Sequence, residues 1–238
     1  MIKAILWDND GVLVDTERLY FRATQYVLAT VGIPLTQEQY IELFLVQGKG
    51  AWHLAADKGV SPSAIEQLRH ARNTLYSTLL CQEPLIIAGV REVLGALHGT
   101  YVMGIVTSSK PDHFALIHQT TGLLPYFQFV LTARDYTHSK PHPEPYLLAV
   151  ERSGCRKEEC LVIEDSERGL MAATAAGLRC IVVPSAFTRG SNFAGAYKVL
   201  ESLTELLVEL SQPGTSPPNK RVQPTASSVR SAPASGSG

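Results

Sequence analysis

Residues 2–17 constrain the fold of this chain more than any other stretch. The apolar run at residues 5–7 has the length and composition of a buried parallel strand, and Asp8 and Asp10 follow it, with Gly11 behind them. In open α/β sheets, ligands bind outside the carboxyl ends of the strands, so acids at this point are expected to meet a metal ion or an anionic ligand. A solvated turn explains an isolated pair of acids equally well, so the rest of the chain decides between the two.

Length and charge limit the possible partners. The chain has 238 residues, which is enough for one large α/β domain or for a core with a smaller insert. Its formal net charge of -1 gives no reason to expect a nucleic acid or an anionic membrane surface as partner. The first apolar run is too short for a signal peptide, and no later segment resembles a membrane span. We therefore expect a cytoplasmic protein with a small-molecule partner. The sequence does not predict whether the protein forms oligomers.

The segment at residues 17–82 is predicted to be helical throughout. Apolar side chains recur at helical spacing in its first part, Thr36 is a candidate N-cap for a second helix, and Ser61 precedes a proline at the start of a long one. The segment contains no strand candidate. We therefore predict a helical cap at residues 17–82, inserted into a core of residues 1–16 and 83–211.

Helices and strands alternate from residue 89 onwards. Four further apolar runs are predicted strands: residues 101–106, 127–131, 161–163 and 180–183. This alternation favours an α/β fold built on a doubly wound parallel sheet with right-handed crossovers. The last stretch, residues 212–238, is rich in Pro, Ser, Gly and Ala and contains no acid, so we predict that it is disordered.

Polar side chains follow several of the predicted strands or lie in the adjoining loops. They are Asp8 and Asp10, Thr107 and Ser109, Lys140, and Glu164 with Asp165. Because the carboxyl ends of parallel strands share one edge of the sheet, we expect these side chains to meet. Carboxylate oxygens suit a hard cation such as Mg²⁺, and a hydroxyl and an ammonium can bind phosphate oxygens. Phosphoryl transfer needs this combination, because the metal and the lysine offset the repulsion between an anionic nucleophile and the phosphate.

Four motifs carry a resemblance to a known family. They are WDNDGVLVDTE at 7–17, VTSS at 106–109, SKPHPEPY at 139–146 and VIEDSERGLMAATAAG at 162–177. In order, type and spacing they resemble the motifs of the haloacid dehalogenase-like (HAD) hydrolase superfamily, in its branch of phosphoglycolate phosphatases and β-phosphoglucomutases. The resemblance implies a Rossmann-like core with a helical cap inserted after the first strand.

The resemblance also implies a role for each core residue. Asp8 would be the nucleophile that forms an aspartyl-phosphate, and Asp10 would protonate the leaving oxygen and then activate water. The implied ligands of Mg²⁺ are Asp8, the main-chain carbonyl of Asp10, and Asp165, with Glu164 beside the metal. The residues implied to bind the phosphoryl group are Thr107, Ser108, Ser109 and Lys140, and the lysine would also offset the charge of the nucleophile.

Two stretches of the predicted cap bear on the substrate. Gly48 and Lys49, with Trp52 nearby, lie where related caps present a substrate-specificity loop, although a plain helix-breaking turn explains the glycine equally well. Tyr20 stands where β-phosphoglucomutases carry a histidine. That difference favours hydrolysis over the return of the phosphoryl group to a sugar. Whether Tyr20 contacts the substrate or packs within the cap stays open.

Two histidines have the spacing of metal ligands on a helix. His138 and His142 are four residues apart, but Pro141 and Pro143 exclude a helix through them. We therefore interpret both as loop histidines rather than as metal ligands.

Together these features predict a Mg²⁺-dependent phosphatase that acts on a small phosphorylated metabolite. An intramolecular phosphotransferase of the β-phosphoglucomutase type is the first alternative, and a catalytically quiet protein that binds a phospho-ligand is a remote one. Dehalogenation is not expected, because the dehalogenases of this superfamily use no metal and lack the second aspartate, here Asp10. The identity of the metabolite is not predicted, because the cap contains no motif of known chemical meaning.

Overall fold

The core of the protein is a parallel β-sheet of six strands in the described residues. The computed structural model describes residues 1–212. The strands are β1 (Ala4–Trp7), β2 (Val102–Val106), β3 (Phe129–Leu131), β4 (Cys160–Glu164), β5 (Arg179–Val182) and β6 (Lys198–Val199). Their order across the sheet is β3-β2-β1-β4-β5-β6, and every neighbouring pair is parallel. The α/β fold class and the parallel sheet predicted from the alternating pattern are confirmed.

Helices cover both faces of this sheet. The α-helices are α1 (Glu17–Ala29), α2 (Gln37–Tyr40), α3 (Trp52–Asp57), α4 (Pro62–Gln82), α5 (Val90–Leu97), α6 (Pro111–His118), α7 (Glu144–Ser153), α8 (Glu167–Ala175) and α9 (Glu205–Leu210). Side chains of β1 alternate between two apolar layers, as the two-residue period of a strand requires. Ile5 and Trp7 pack in the layer that contains residues of α5, α6 and α9, whereas Leu6 packs with residues of α7 and α8. The sheet is therefore buried on both sides, which explains why its central strands read as unbroken apolar runs.

All the regular structure between residues 17 and 82 is helical. Helices α1 to α4 lie here, α1 packs against α4, and a separate apolar cluster includes Leu28, Tyr40 and Trp52. The segment is thus helical as expected, and its division from the core as a cap of residues 17–82 stays a prediction.

The predicted helix starts in this segment are present. The Thr36 hydroxyl accepts a hydrogen bond from the Gln39 amide while the Gln39 side chain accepts one from the Thr36 amide, so the two form a capping box. The Ser61 hydroxyl likewise accepts from the Ala64 amide at the start of α4. These two caps explain why a chain with a modest apolar stripe nevertheless begins helices at these points.

Two elements differ from the sequence prediction. The second helix continues from α2 as a π-helical segment, Ile41–Val46, in which the turns are wider than those of an α-helix. Strand β6 is not predicted from the sequence, because it has only two residues and both are exposed. It pairs with β5. Two short 3-10 segments, Leu124–Tyr126 and Lys157–Glu159, precede β3 and β4.

Within residues 1–212, none of the helices combines the length and the apolar character that a membrane-spanning helix needs. The predicted disordered tail, residues 212–238, lies outside the described residues from residue 213 onwards.

Candidate active site

The polar residues at the strand ends meet at one edge of the sheet. Asp8 directly follows β1, Thr107 follows β2, and Asp165 follows β4, while Lys140 lies in the loop between β3 and α7. All four are buried, with relative exposures of 8% or less. Residues from four separate parts of the chain therefore form one polar centre within an otherwise apolar core.

Lys140 links the acids of this centre. Its ammonium donates hydrogen bonds to Asp8 Oδ1 at 2.8 Å, to Glu164 Oε1 at 2.7 Å and to the Val106 carbonyl at 2.9 Å. Burial alone would lower the pKa of Lys140, but the two carboxylates more than offset it and raise the pKa above its ordinary value. The lysine is therefore cationic and has all three of its protons engaged.

Glu164 lies below the centre rather than at its surface. Its carboxylate is fully buried and accepts hydrogen bonds from the Tyr146 hydroxyl at 2.7 Å and from the Ser166 hydroxyl at 3.0 Å. A Cβ added at Gly169 would stand 1.9 Å from this carboxylate, so only glycine lets the first turn of α8 pass over it. Glu164 thus holds Lys140 from beneath, which suits an acid beside a metal more than one facing a substrate.

The acidic residues of the centre fit a hard divalent cation. Oxygens of Asp8, Glu164 and Asp165 all lie within 4.8 Å of one another. Burial, the Glu164 charge and Asp10 raise the pKa of Asp8 to about 8 although Lys140 opposes the rise, and burial likewise raises the pKa of Asp165 well above its usual range. Three buried carboxylates against one ammonium leave an excess of negative charge that an oxygen-binding cation would offset. The donor set therefore suits Mg²⁺.

Gly11 forms part of this cradle. Its φ is +84°, a conformation that L side chains rarely adopt, and a Cβ there would stand 2.1 Å from Asp165 Oδ2. The turn after Asp10 and the Asp165 carboxylate therefore occupy adjoining space that only a glycine leaves free.

Asp10 is held by several donors. Its Oδ1 accepts from the Thr16 hydroxyl at 2.5 Å, and its Oδ2 accepts from the hydroxyls of Ser109 at 2.7 Å and Thr107 at 3.1 Å. The sequence assigned Thr107 and Ser109 to the phosphoryl group, whereas here both hydroxyls donate to Asp10. Ser108 and Ser109 line the cleft described next.

A cleft of about 900 Å³ opens over this centre towards the helices of residues 17–82. Asp8, Asp10, Lys140 and Asp165 line its floor, and its opposite wall includes Tyr20, Tyr40, Arg69, Arg72 and Tyr76. The volume is that of an ordinary small-molecule site. Sequence patterning missed the α4 residues of this wall, because their spacing along a long helix is equally typical of packing within the cap.

Tyr20 lines the cleft and also packs within the cap, whereas its contact with a substrate stays a prediction. Its ring lies edge-on to Tyr76 with the centroids 5.2 Å apart, and the Arg72 guanidinium lies 4.2 Å from its centroid. Arg72 is buried, and its Nη1 has no hydrogen-bond partner among the described residues. A buried cationic group with an unused donor thus forms part of the wall that faces the acids.

The residues of the predicted specificity loop, Gly48, Lys49 and Trp52, do not themselves line the cleft. Trp52 is buried in the apolar cluster of the cap, beneath the guanidinium groups of Arg69 and Arg72. Gly48 lies beside the cleft, because a Cβ there would stand 3.6 Å from Nη1 of Arg168, which lines it.

The two loop histidines lie outside the cleft. His138 and His142 precede α7, with ring centroids 4.6 Å apart, and His138 Nδ1 lies 2.7 Å from Glu144 Oε2. Glu144 also accepts the amides of Thr137 and His138, so its carboxylate closes this loop at the start of α7.

A family comparison identifies the chain. The model of the family described as haloacid dehalogenase-like hydrolase matches residues 5–183. The chain belongs to this family. Membership confirms the resemblance carried by the four motifs. It also agrees with the expected hydrolase activity, because the family is described as one of hydrolases.

Individual relatives extend the match. Protein CbbY of Cereibacter sphaeroides is 32% identical over 217 residues, which cover 87% of this chain and 94% of that protein. The phosphorylated carbohydrates phosphatase of Thermotoga maritima is 30% identical over 185 residues, which cover 76% and 84% of the two chains. Among solved structures, a variant of CbbY from Rhodobacter sphaeroides in complex with xylulose-(1,5)bisphosphate superimposes with a TM-score of 0.72 at 27% identity and covers 87% of this chain and 96% of that one. The sugar bisphosphate belongs to that complex.

Proposed function

We propose that this protein is a Mg²⁺-dependent phosphatase that hydrolyses a small phosphorylated sugar through an aspartyl-phosphate on Asp8. The observation that carries the proposal is the position of the Asp8 carboxylate. It lies at the end of β1 on the floor of the cleft, 2.8 Å from the Lys140 ammonium and beside Asp165. A carboxylate that is fixed by a cation and open to a cleft is suited to attack phosphorus.

Two displacements complete the proposed reaction. In the first, the Asp8 carboxylate forms a bond to phosphorus, the ester bond to the sugar oxygen breaks, and Asp10 gives that oxygen its proton. In the second, Asp10 takes a proton from water, the water oxygen forms a bond to phosphorus, and the bond between Asp8 and phosphorus breaks, which releases inorganic phosphate and restores the Asp8 carboxylate. Asp10 thus acts first as general acid and then as general base.

The remaining centre supplies charge and orientation. Asp8, Asp165 and the main-chain carbonyl of Asp10 would hold Mg²⁺, with Glu164 beside it, and the ion when bound would offset the negative charge of nucleophile and phosphate. Lys140 adds a fixed positive charge between Asp8 and Glu164. The residues proposed to bind the phosphoryl oxygens are Thr107, Ser108, Ser109 and Lys140.

Two kinds of observation support a sugar phosphate as substrate. One relative is named for phosphorylated carbohydrates, and a related structure contains a sugar bisphosphate. In this chain, the cleft wall combines the rings of Tyr20 and Tyr76 with the Arg72 guanidinium. Aromatic rings can pack against the C–H faces of a sugar, and a guanidinium can donate to its hydroxyls or to a second phosphate.

Phosphate release from a panel of sugar phosphates, including xylulose 1,5-bisphosphate, and from p-nitrophenyl phosphate tests the proposal. We expect release that requires Mg²⁺ and stops with EDTA. Asp8→Asn should abolish it, and mass spectrometry of quenched wild-type enzyme should find the phosphoryl group on the peptide that contains Asp8. No release from any compound would contradict the proposal. Isomerised sugar phosphate without free phosphate would instead assign the phosphotransferase alternative.

A further inference from the structure

A buried chain of side chains reaches Asp10 from behind the cleft. His118, the last residue of α6, lies with Nε2 2.8 Å from Asn9 Oδ1 and with Nδ1 2.9 Å from the Thr121 hydroxyl. The Asn9 amide then donates from Nδ2 to Asp10 Oδ2 at 3.3 Å. Asn9 is fully buried, and His118 and Thr121 are 6% and 3% exposed. Polar groups this deep are expected to have hydrogen-bond partners, and each of these three side chains has one.

The hydrogen-bond chemistry fixes the direction of this chain. An amide oxygen only accepts, so His118 Nε2 carries a proton and donates it to Asn9. Burial lowers the pKa of His118 to about 4 despite the nearby Asp10, so at neutral pH the ring is uncharged and Nδ1 accepts from the Thr121 hydroxyl. Each group therefore donates to the next, from Thr121 through His118 and Asn9 to Asp10.

Asn9 differs from the other donors to Asp10 Oδ2. Ser109 and Thr107 donate to the same oxygen, but the proposed function assigns both hydroxyls to the phosphoryl group. Asn9 lies on the buried side and has no such second task. When substrate binds, Asn9 would be the donor that remains on Oδ2, while the Thr16 hydroxyl remains on Oδ1, so the two together would hold the plane of the Asp10 carboxylate.

We propose that Asn9 and His118 are positioning residues that orient the Asp10 carboxylate for proton transfer to the leaving group. This inference rests on the proposed phosphatase function. It predicts that the pair matters in proportion to how much the leaving group needs a proton, because a good leaving group departs without general acid catalysis.

The test replaces both partners together. Loss of one alone would leave a buried polar group unsatisfied and could destabilise the protein, whereas replacing both by apolar side chains can be nearly neutral. The variant is Asn9→Leu/His118→Leu. His118→Gln is the conservative partner, because its amide can still donate to Asn9. Leu97→Ala, a cavity in the core layer on α5, is the control for general destabilisation.

Steady-state kinetics with Mg²⁺ then compare p-nitrophenyl phosphate with phenyl phosphate, whose leaving phenol has a pKa near 10 and needs protonation more. For the double variant we expect kcat/KM for phenyl phosphate to fall about tenfold more than for p-nitrophenyl phosphate, with KM little changed. His118→Gln should retain most of the activity that the double variant loses. Leu97→Ala should leave the ratio of kcat/KM for the two esters unchanged.

An equal loss with both substrates, or no loss with either, would overturn the positioning role while leaving the phosphatase in place. Wild-type protein that releases phosphate from neither ester, nor from the sugar phosphate panel, would instead overturn the proposed function and this inference with it.

Discussion

The Lys140 ammonium lies 2.8 Å from Asp8 Oδ1, although the two residues are 132 positions apart in the chain. Their contacts hold both residues in this arrangement. Lys140 is buried against Glu164 on its other side, and Asp8 follows a strand that is paired on both of its edges. The sheet therefore fixes the proposed nucleophile, and the buried hydrogen bonds of Lys140 to Asp8, Glu164 and the Val106 carbonyl fix the cation that the loop before α7 supplies.

Replacing Lys140 by Met should reduce activity strongly. Methionine keeps much of the volume but removes the charge, so Asp8 and Glu164 would face each other without a cation. We expect kcat/KM with p-nitrophenyl phosphate to fall by about a hundredfold or more, as for loss of one preorganised donor at a reacting group. The free energy of unfolding, measured in urea, should fall by about 3 kcal/mol because a buried ion pair is broken. Lys157→Met, at an exposed lysine, is the control, and a similar loss there would contradict the prediction.

Replacing Gly11 by Ala should damage the centre through Asp165. The new Cβ would stand 2.1 Å from Asp165 Oδ2, in addition to the strain of a positive φ. Gly59→Ala is a matched control, because Gly59 has a φ of +82° but a Cβ there would meet nothing within 4 Å. We expect Gly59→Ala to lose about 1–2 kcal/mol of unfolding free energy from backbone strain and to stay active. Gly11→Ala should lose more stability and most phosphatase activity, and equal effects of the two substitutions would contradict this account.

Much of the core could be predicted from the sequence, because each step followed from local pattern. Strands β1 and β4 are apolar runs of the length that a sheet buried on both faces requires, and polar residues end them. Since parallel strands share their carboxyl edge, Asp8 and Asp165 had to approach each other once both strands were identified. The two-residue strand β6 could not be predicted, because exposed Lys198 and Val199 show no alternation and pair only through the backbone.

The parts of the site that were missed depend on contacts between distant residues. Asn9 and His118 are in contact although they are 109 positions apart, and no recognised motif contains both of them. Arg72 has the spacing of a packed helix residue, and only the fold shows that it also faces the acids. Trp52, which the resemblance to related caps places near the substrate, packs in the apolar cluster of this cap beneath Arg69 and Arg72, two residues that line the cleft.

Mg²⁺ should stabilise the folded protein through the acidic centre. The carboxylates of Asp8, Glu164 and Asp165 lie within 4.8 Å of one another in the folded protein, and they move apart when the chain unfolds. The ion therefore binds the folded state preferentially. At a concentration about 100 times Kd, we expect a gain of roughly 2.7 kcal/mol, seen as a rise in Tm. Asp165→Asn should lose most of this rise, and Asp57→Asn, at an exposed acid on α3, should keep it. An undiminished rise in Asp165→Asn would place the ion elsewhere.

Glu17 should make stability fall as the pH rises from about 5 to about 8. It lines the cleft and receives a hydrogen bond from the Tyr40 hydroxyl, and burial, which outweighs that bond, raises the pKa of Glu17 from 4.5 to about 7. Between these two values the folded state holds a proton that the unfolded state has lost, so the stabilisation is complete below pH 4.5 and disappears as the pH passes 7. Glu17→Gln removes the titration. Urea unfolding in EDTA at several pH values should therefore show wild type losing stability relative to Glu17→Gln as the pH rises, whereas Glu42→Gln, at an exposed glutamate, should run parallel to wild type. A constant difference between Glu17→Gln and wild type across this range would show that Glu17 titrates normally in the folded protein.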